Sequence, residues 1–250
     1  MEGNTVANTE TFTKKQKIIS ILASIFTVFF IIVVLGILFN IYLSIGYLFI
    51  LIIHEMGHCI AAKFLNIKII FSGLTPFGAY IVHEDIKDCK KSAFVSIAGP
   101  LFGGILALIY YLAYCFTGNS TLVVLSFLSV VFNLFNLIPV KPLDGGYVAA
   151  IISPILSYIG LVVLLYVVII SKDRFLLIIL LAMGIGNTYE QSKAYYNNKD
   201  FKVDRNIKVK YTLCYGTLLL LLGLSTLYFY SNIEASIIDI IRIKSHIPTR

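Results

Sequence analysis

The stretch ILIIHEMGHCIAA, residues 50–62, holds two histidines and a glutamate in a run of apolar side chains. His54 and His58 are four residues apart, so a helix puts both imidazoles on one face, one turn from each other. Two ring nitrogens so placed can meet one ion at the roughly 2.0–2.1 Å that Zn²⁺ prefers. Glu55 lies about 100° around the helix from His54, near the open side of such an ion. There it can take a proton from water and later give one to a leaving amine. Gly57 leaves the same turn uncluttered. This His-Glu-x-x-His spacing is the metallohydrolase pattern. Ionisable groups at membrane depth cost about 2.5–3.5 kcal/mol each on insertion scales, so an idle cluster is disfavoured and the residues read as functional.

Two histidines do not hold a catalytic zinc, which ordinarily has three protein ligands and water. His83 sits in a charged loop and His246 in the tail, Glu190 borders a basic segment, and Asp144 stands in PLDGG beyond two prolines. Charge favours Asp144. One aspartate lowers Zn²⁺ with two neutral histidines to +1, and Glu55 as carboxylate brings the cluster to zero, the form a low-dielectric interior tolerates best. The backbone broken by Pro139 and Pro142 agrees with this, because irregular backbone at membrane depth survives where it lines a cavity or is buried in protein.

The rest of the chain must carry these residues inside a bilayer. Of 250 residues 58% are hydrophobic and 13% charged, with a mean hydropathy of +0.90, against about 25% charged in a soluble domain. The reading is an all-α polytopic membrane protein of six to seven transmembrane helices, with a small β-hairpin around Gly73–Pro76 between spans 2 and 3. Residues 1–17 read as a disordered cytoplasmic N-terminus and 18–40 as an uncleaved first span, too long for a signal peptide. Residues 41–152 form the catalytic core, with the metal site on spans 2 and 4. Two short spans follow at 153–188, a basic cytoplasmic linker at 189–210, a last span at 211–231 and a tail at 232–250.

The net charge of +7 lies between apolar runs and without a nucleic-acid motif. It is read as membrane orientation, and nucleic acid is not expected as a partner. With the N-terminus inside, inside segments hold 13 Lys/Arg and outside segments 5, as the positive-inside rule requires. The four cysteines form no CxxC pair, which leaves neither a disulfide framework nor a Cys-type zinc site.

HEMGH in one span, followed roughly eighty residues later by NLIPVKPLDGG, resembles the site-2 protease family of intramembrane zinc metalloproteases, in a minimal form without a PDZ or CBS domain. SIAGP at 96–100 and PFGAY at 76–80 resemble further family segments. The resemblance implies one Zn²⁺ per chain held by His54, His58 and Asp144, catalysis by Glu55, and a substrate backbone oriented by Asn136. It implies a membrane-spanning protein or peptide as substrate and a multi-pass position, with the cell membrane as the expected location. Lys141 departs from the family pattern, where proline is common. Two other readings use the same residues: a metal transporter, which would need a relay of ionisable groups across the spans, and a catalytically silent binding protein.

Overall fold

A computed structural model describes residues 14–245 apart from 68, 76–77, 84–87, 173 and 198–202. Residues 1–13 of the N-terminal segment expected to be disordered (1–17) and His246 lie outside the described residues, while 14–17 are helical, forming the first turn of α1, which corrects that boundary. In chain order the elements are α1 (Lys14–Leu38), α2 (Ile41–Phe64), β1 (Ile69–Thr75), β2 (Gly78–His83), α3 (Cys89–Thr117), α4 (Ser120–Asn136), α5 (Asp144–Ile152), α6 (Pro154–Ile170), α7 (Phe175–Asn197) and α8 (Arg205–Ser245).

Short polar residues set the helix starts. The side chains of Asn40, Asp88 and Asn119 accept from the backbone N–H groups of Leu43, Lys90 and Thr121, opening α2, α3 and α4. Gly118 closes α3 in the left-handed region at φ 66, and its N–H donates to the Tyr114 carbonyl. Ser153 caps α6, with Pro154 at its first turn.

Helices α2, α3 and α4 pack side by side, with α5 and α8 against them, while α1 lies on α2 and β1, and α6 and α7 pair with each other. The core between them is apolar: Ala107, Val130, Leu137, Val148 and Leu222 from α3, the α4–α5 region and α8 are buried together. Outward positions such as Ile105, Leu108, Ile159 and Leu221 are large, apolar and exposed. An apolar outer surface over an apolar core is what a lipid solvent asks of a helical protein.

The span count is a correction. Among the described residues three helices are long and apolar enough to cross a membrane: Ile41–Phe64, Cys89–Thr117 and the Arg205–Tyr230 part of α8. Six to seven transmembrane helices do not stand. A crossing needs about 20 residues to pass some 30 Å of hydrocarbon. Helices α4 and α6 have 17 residues each, α4 ending ahead of Pro139 and α6 starting only at Pro154. Helix α7 is longer but carries Asn187, Glu190, Gln191 and Lys193 in its second half, and it runs on into the stretch read as a linker. Helix α8 starts before 211 and continues through much of the expected tail.

The hairpin is also corrected in its turn. Strands β1 and β2 pair antiparallel with Ile69 opposite His83 and Thr75 opposite Gly78, and the register shifts between Phe71 and Leu74. Gly73, expected in the turn, therefore lies inside β1 at the irregularity, where a glycine commonly marks a bulge.

Candidate metal centre

Helix α2 carries His54, Glu55 and His58, and all three side chains are buried. The imidazoles meet edge to face with centroids 4.8 Å apart, and their Nε2 atoms are 3.1 Å apart. The Phe132 ring of α4 stands on the far side of His54 at 5.1 Å.

The outer nitrogens fix which atoms face inward. Nδ1 of His58 is 2.8 Å from the Val95 carbonyl, an acceptor only, so Nδ1 carries the proton. Nδ1 of His54 is 2.7 Å from Oδ1 of Asn133. That amide cannot be turned round, because its Nδ2 donates to the Ser129 carbonyl at 2.7 Å. Both histidines thus present a bare Nε2 lone pair to the same point. Asp144 Oδ2 lies 3.3 Å from His54 Nε2 and 3.4 Å from His58 Nε2, and it is buried without a hydrogen-bond partner. Three acceptors converging without a donor repel one another unless a cation sits among them. The ligand atoms of His54, His58 and Asp144 all fall within 4.8 Å of one another. Two imidazoles and a carboxylate form a donor set suited to a divalent ion with an open position, as in catalytic zinc sites.

Asp144 reaches this point because the chain between α4 and α5 folds tightly onto the first turn of α5. A Cβ at Gly145 would run into the Leu137 carbonyl and stand 2.6 Å from the Ile138 oxygen, and one at Gly146 would meet the backbone of Val140 and Lys141. The two glycines of PLDGG therefore serve close backbone approach. Two side chains hold the loop from outside: the Tyr215 hydroxyl of α8 donates to the Leu137 carbonyl, and Asn187 of α7 donates to the Lys141 carbonyl at 3.3 Å. The Lys141–Pro142 peptide is cis.

Glycines also let α2 and α3 meet beside the histidines. A Cβ at Gly57 would stand 2.5 Å from the Ala98 carbonyl oxygen, and one at Gly103 would overlap the Asn133 amide. Further along the same seam, the Ser129 and Ser126 hydroxyls of α4 donate to the Gly103 and Ala107 carbonyls of α3 at 2.8 and 2.7 Å.

The remaining residues named from the sequence are placed as follows. Asn136 is buried at the end of α4, one turn on from Asn133, and its Nδ2 donates to the Phe132 carbonyl at 3.1 Å. Glu190 is exposed on α7 and stands outside the group of three; His83 ends β2. The Lys141 ammonium lies 4.8 Å from the centre of the Tyr147 ring. Sequence reasoning missed Asn133. The signal was present in FNLFN: two amides three apart in an apolar helix share a face, and a buried amide in such a helix needs a partner.

The pattern of Peptidase family M50 matches residues 42–120. Over 114 residues the chain is 32% identical to the zinc metalloprotease MJ0392 of Methanocaldococcus jannaschii, a match that covers 43% of this chain. The chain spans about a third (33%) of that relative's length. A solved structure, the site-2 protease from Methanocaldococcus jannaschii, superposes with a TM-score of 0.46 at 23% identity, covering 68% of this chain and 88% of the other. The stretch of this chain that is similar to peptidase family M50 contains HEMGH, whose two histidines stand against Asp144.

Proposed function

We propose that the protein is a zinc metalloendopeptidase that cuts a peptide bond in or near the transmembrane segment of a membrane-anchored substrate. The convergence of two bare imidazole nitrogens on an orphaned carboxylate oxygen, one residue from a buried glutamate, carries this reading. His54, His58 and Asp144 would hold one Zn²⁺, which supplies Lewis-acid polarisation and lowers the pKa of a water toward neutrality when bound. Glu55 takes the proton of the attacking water and returns it to the departing amine nitrogen. Asn136 spends one N–H on Phe132; its second N–H is available to a substrate carbonyl, where a donor aimed at developing negative charge has its largest effect.

A substrate helix hides its amides in its own ladder and must unwind before it can be cut. The two-stranded sheet of β1 and β2 lies between α2 and α3 in the chain and touches α2. Its edge offers backbone groups on which an unwound segment can be laid as a further strand. Proline at Ala79 or Tyr80 is expected to slow cleavage, and unchanged cleavage would remove the edge from the mechanism. We place the N-terminus on the cytoplasmic side of the cell membrane, because Lys14, Lys15 and Lys17 precede the first apolar run.

A transporter needs ionisable groups strung from one face to the other, whereas the metal-ligating group among the described residues is a single cluster. Comparative membrane proteomics of cells carrying the wild-type or the Glu55→Gln protein tests the proposal. A membrane-anchored precursor should accumulate with the variant; identical membrane proteomes would overturn the protease reading.

A further inference from the structure

We propose that Asn133 is a positioning residue that selects the tautomer and fixes the ring plane of His54, a role separate from that of Asn136. The inference rests on reading the centre as a zinc site.

Asn133 is fully buried, with an exposure of 0%, and both ends of its amide are committed. Oδ1 accepts from His54 Nδ1 at 2.7 Å, and Nδ2 donates to the Ser129 carbonyl at 2.7 Å. The carbonyl can only accept, so the amide has one orientation, and the proton of His54 must sit on Nδ1. That leaves Nε2 bare toward His58 and Asp144. The surroundings are built for this amide. Gly103 of α3 supplies the space it fills, and the Ser129 hydroxyl ties the same turn of α4 to the Gly103 carbonyl at 2.8 Å. His58 receives the equivalent service from a backbone carbonyl, that of Val95. The two imidazoles are thus oriented by different helices, His58 by α3 and His54 by α4.

Asn136 does different work. Its Nδ2 is bonded back to its own helix, and no bond from it to either histidine is present. Asn133 is therefore the amide that acts through the ligand. Losing such an outer partner typically costs 10–100-fold in metal affinity.

The test compares zinc affinity, measured by competition with a chromogenic chelator, and thermal unfolding of the zinc-free protein, both on the full chain in detergent. Asn133→Leu keeps the volume but removes the acceptor; it is expected to weaken zinc binding 10–100-fold while the apo protein still unfolds cooperatively. Asn133→Asp keeps an acceptor for Nδ1–H but turns an oxygen toward the Ser129 carbonyl. It is expected to unfold at a lower temperature yet bind zinc within about threefold of the parent. Ser126→Ala, one hydroxyl further along the same seam, is expected to leave zinc affinity unchanged. A purely packing role moves stability and affinity together in both variants at position 133, and that result overturns the inference. So does an Asn133→Leu protein that binds zinc as the parent does. If the parent itself binds no zinc, the metalloprotease reading fails first and this inference falls with it.

Discussion

Gly99 of α3 faces the edge of the His58 ring so closely that a Cβ there would overlap Nε2 and Cε1 of that ring and stand 3.0 Å from Cε1 of His54. The glycine of SIAGP is thus the floor on which both imidazoles rest. Gly99→Ala should displace them and weaken zinc binding by about tenfold or more, the range seen when a ligand's support is lost. Gly216→Ala on α8, where nothing lies within 4 Å, is the matched control. It should leave zinc affinity alone and add about 0.5–1 kcal/mol of helix stability. Chelator competition and thermal unfolding read both.

Glu55→Gln should separate binding from chemistry. His54, His58 and Asp144, the side chains proposed to hold the metal, are untouched, so zinc content should match the parent, while cleavage of any accumulating precursor falls by about 10²–10⁴-fold, the typical contribution of a positioned general base. Equal loss of zinc and cleavage would place Glu55 among the ligands instead.

Zinc should be part of the folded protein's stability. A ligand at 100 times its Kd adds about 2.7 kcal/mol, so a strong chelator should lower the Tm of the parent. In Asp144→Ala the chelator should have little further effect, because the carboxylate whose Oδ2 lies 3.3 and 3.4 Å from the two imidazoles is gone. An undiminished chelator response in that variant would exclude Asp144 from the site.

Tyr215→Phe should loosen the metal centre from a distance. The hydroxyl caps the Leu137 carbonyl in a buried setting, and leaving a buried acceptor unmet costs about 1–3 kcal/mol. The loop from Leu137 to Leu143 delivers Asp144, so zinc affinity should fall along with Tm. Tyr211→Phe removes a similar bond, to the Lys90 carbonyl, from a half-buried ring whose bond is open to solvent; it should change stability by no more than about 0.5 kcal/mol.

The local chemistry was more legible in the sequence than the architecture. His54 and His58 declare a shared helical face by spacing alone, and Asp144 stands out as a carboxylate in an apolar, proline-broken segment. Asn133 was passed over because the two amides of FNLFN mark a shared helix face but not which partner each serves; its role depends on α4 lying against α2. The span count failed for a related reason. Hydropathy counts each apolar run as a crossing, whereas α4 and α6 fold into helices of only 17 residues each and α7 turns polar in its second half. The turn of the hairpin was misplaced because Gly73 signals equally a reversal and a bulge, and only the pairing register distinguishes them.

The bond from Tyr215 to Leu137 has a consequence for biosynthesis. The ribosome delivers HEMGH first and the aspartate some ninety residues later, but the helix that braces the loop between them follows only from Arg205 onward. A nascent chain halted before α8 carries every ligand and lacks the brace that keeps one of them in place. Placement of Asp144 beside the two imidazoles is thereby expected to await the synthesis of α8.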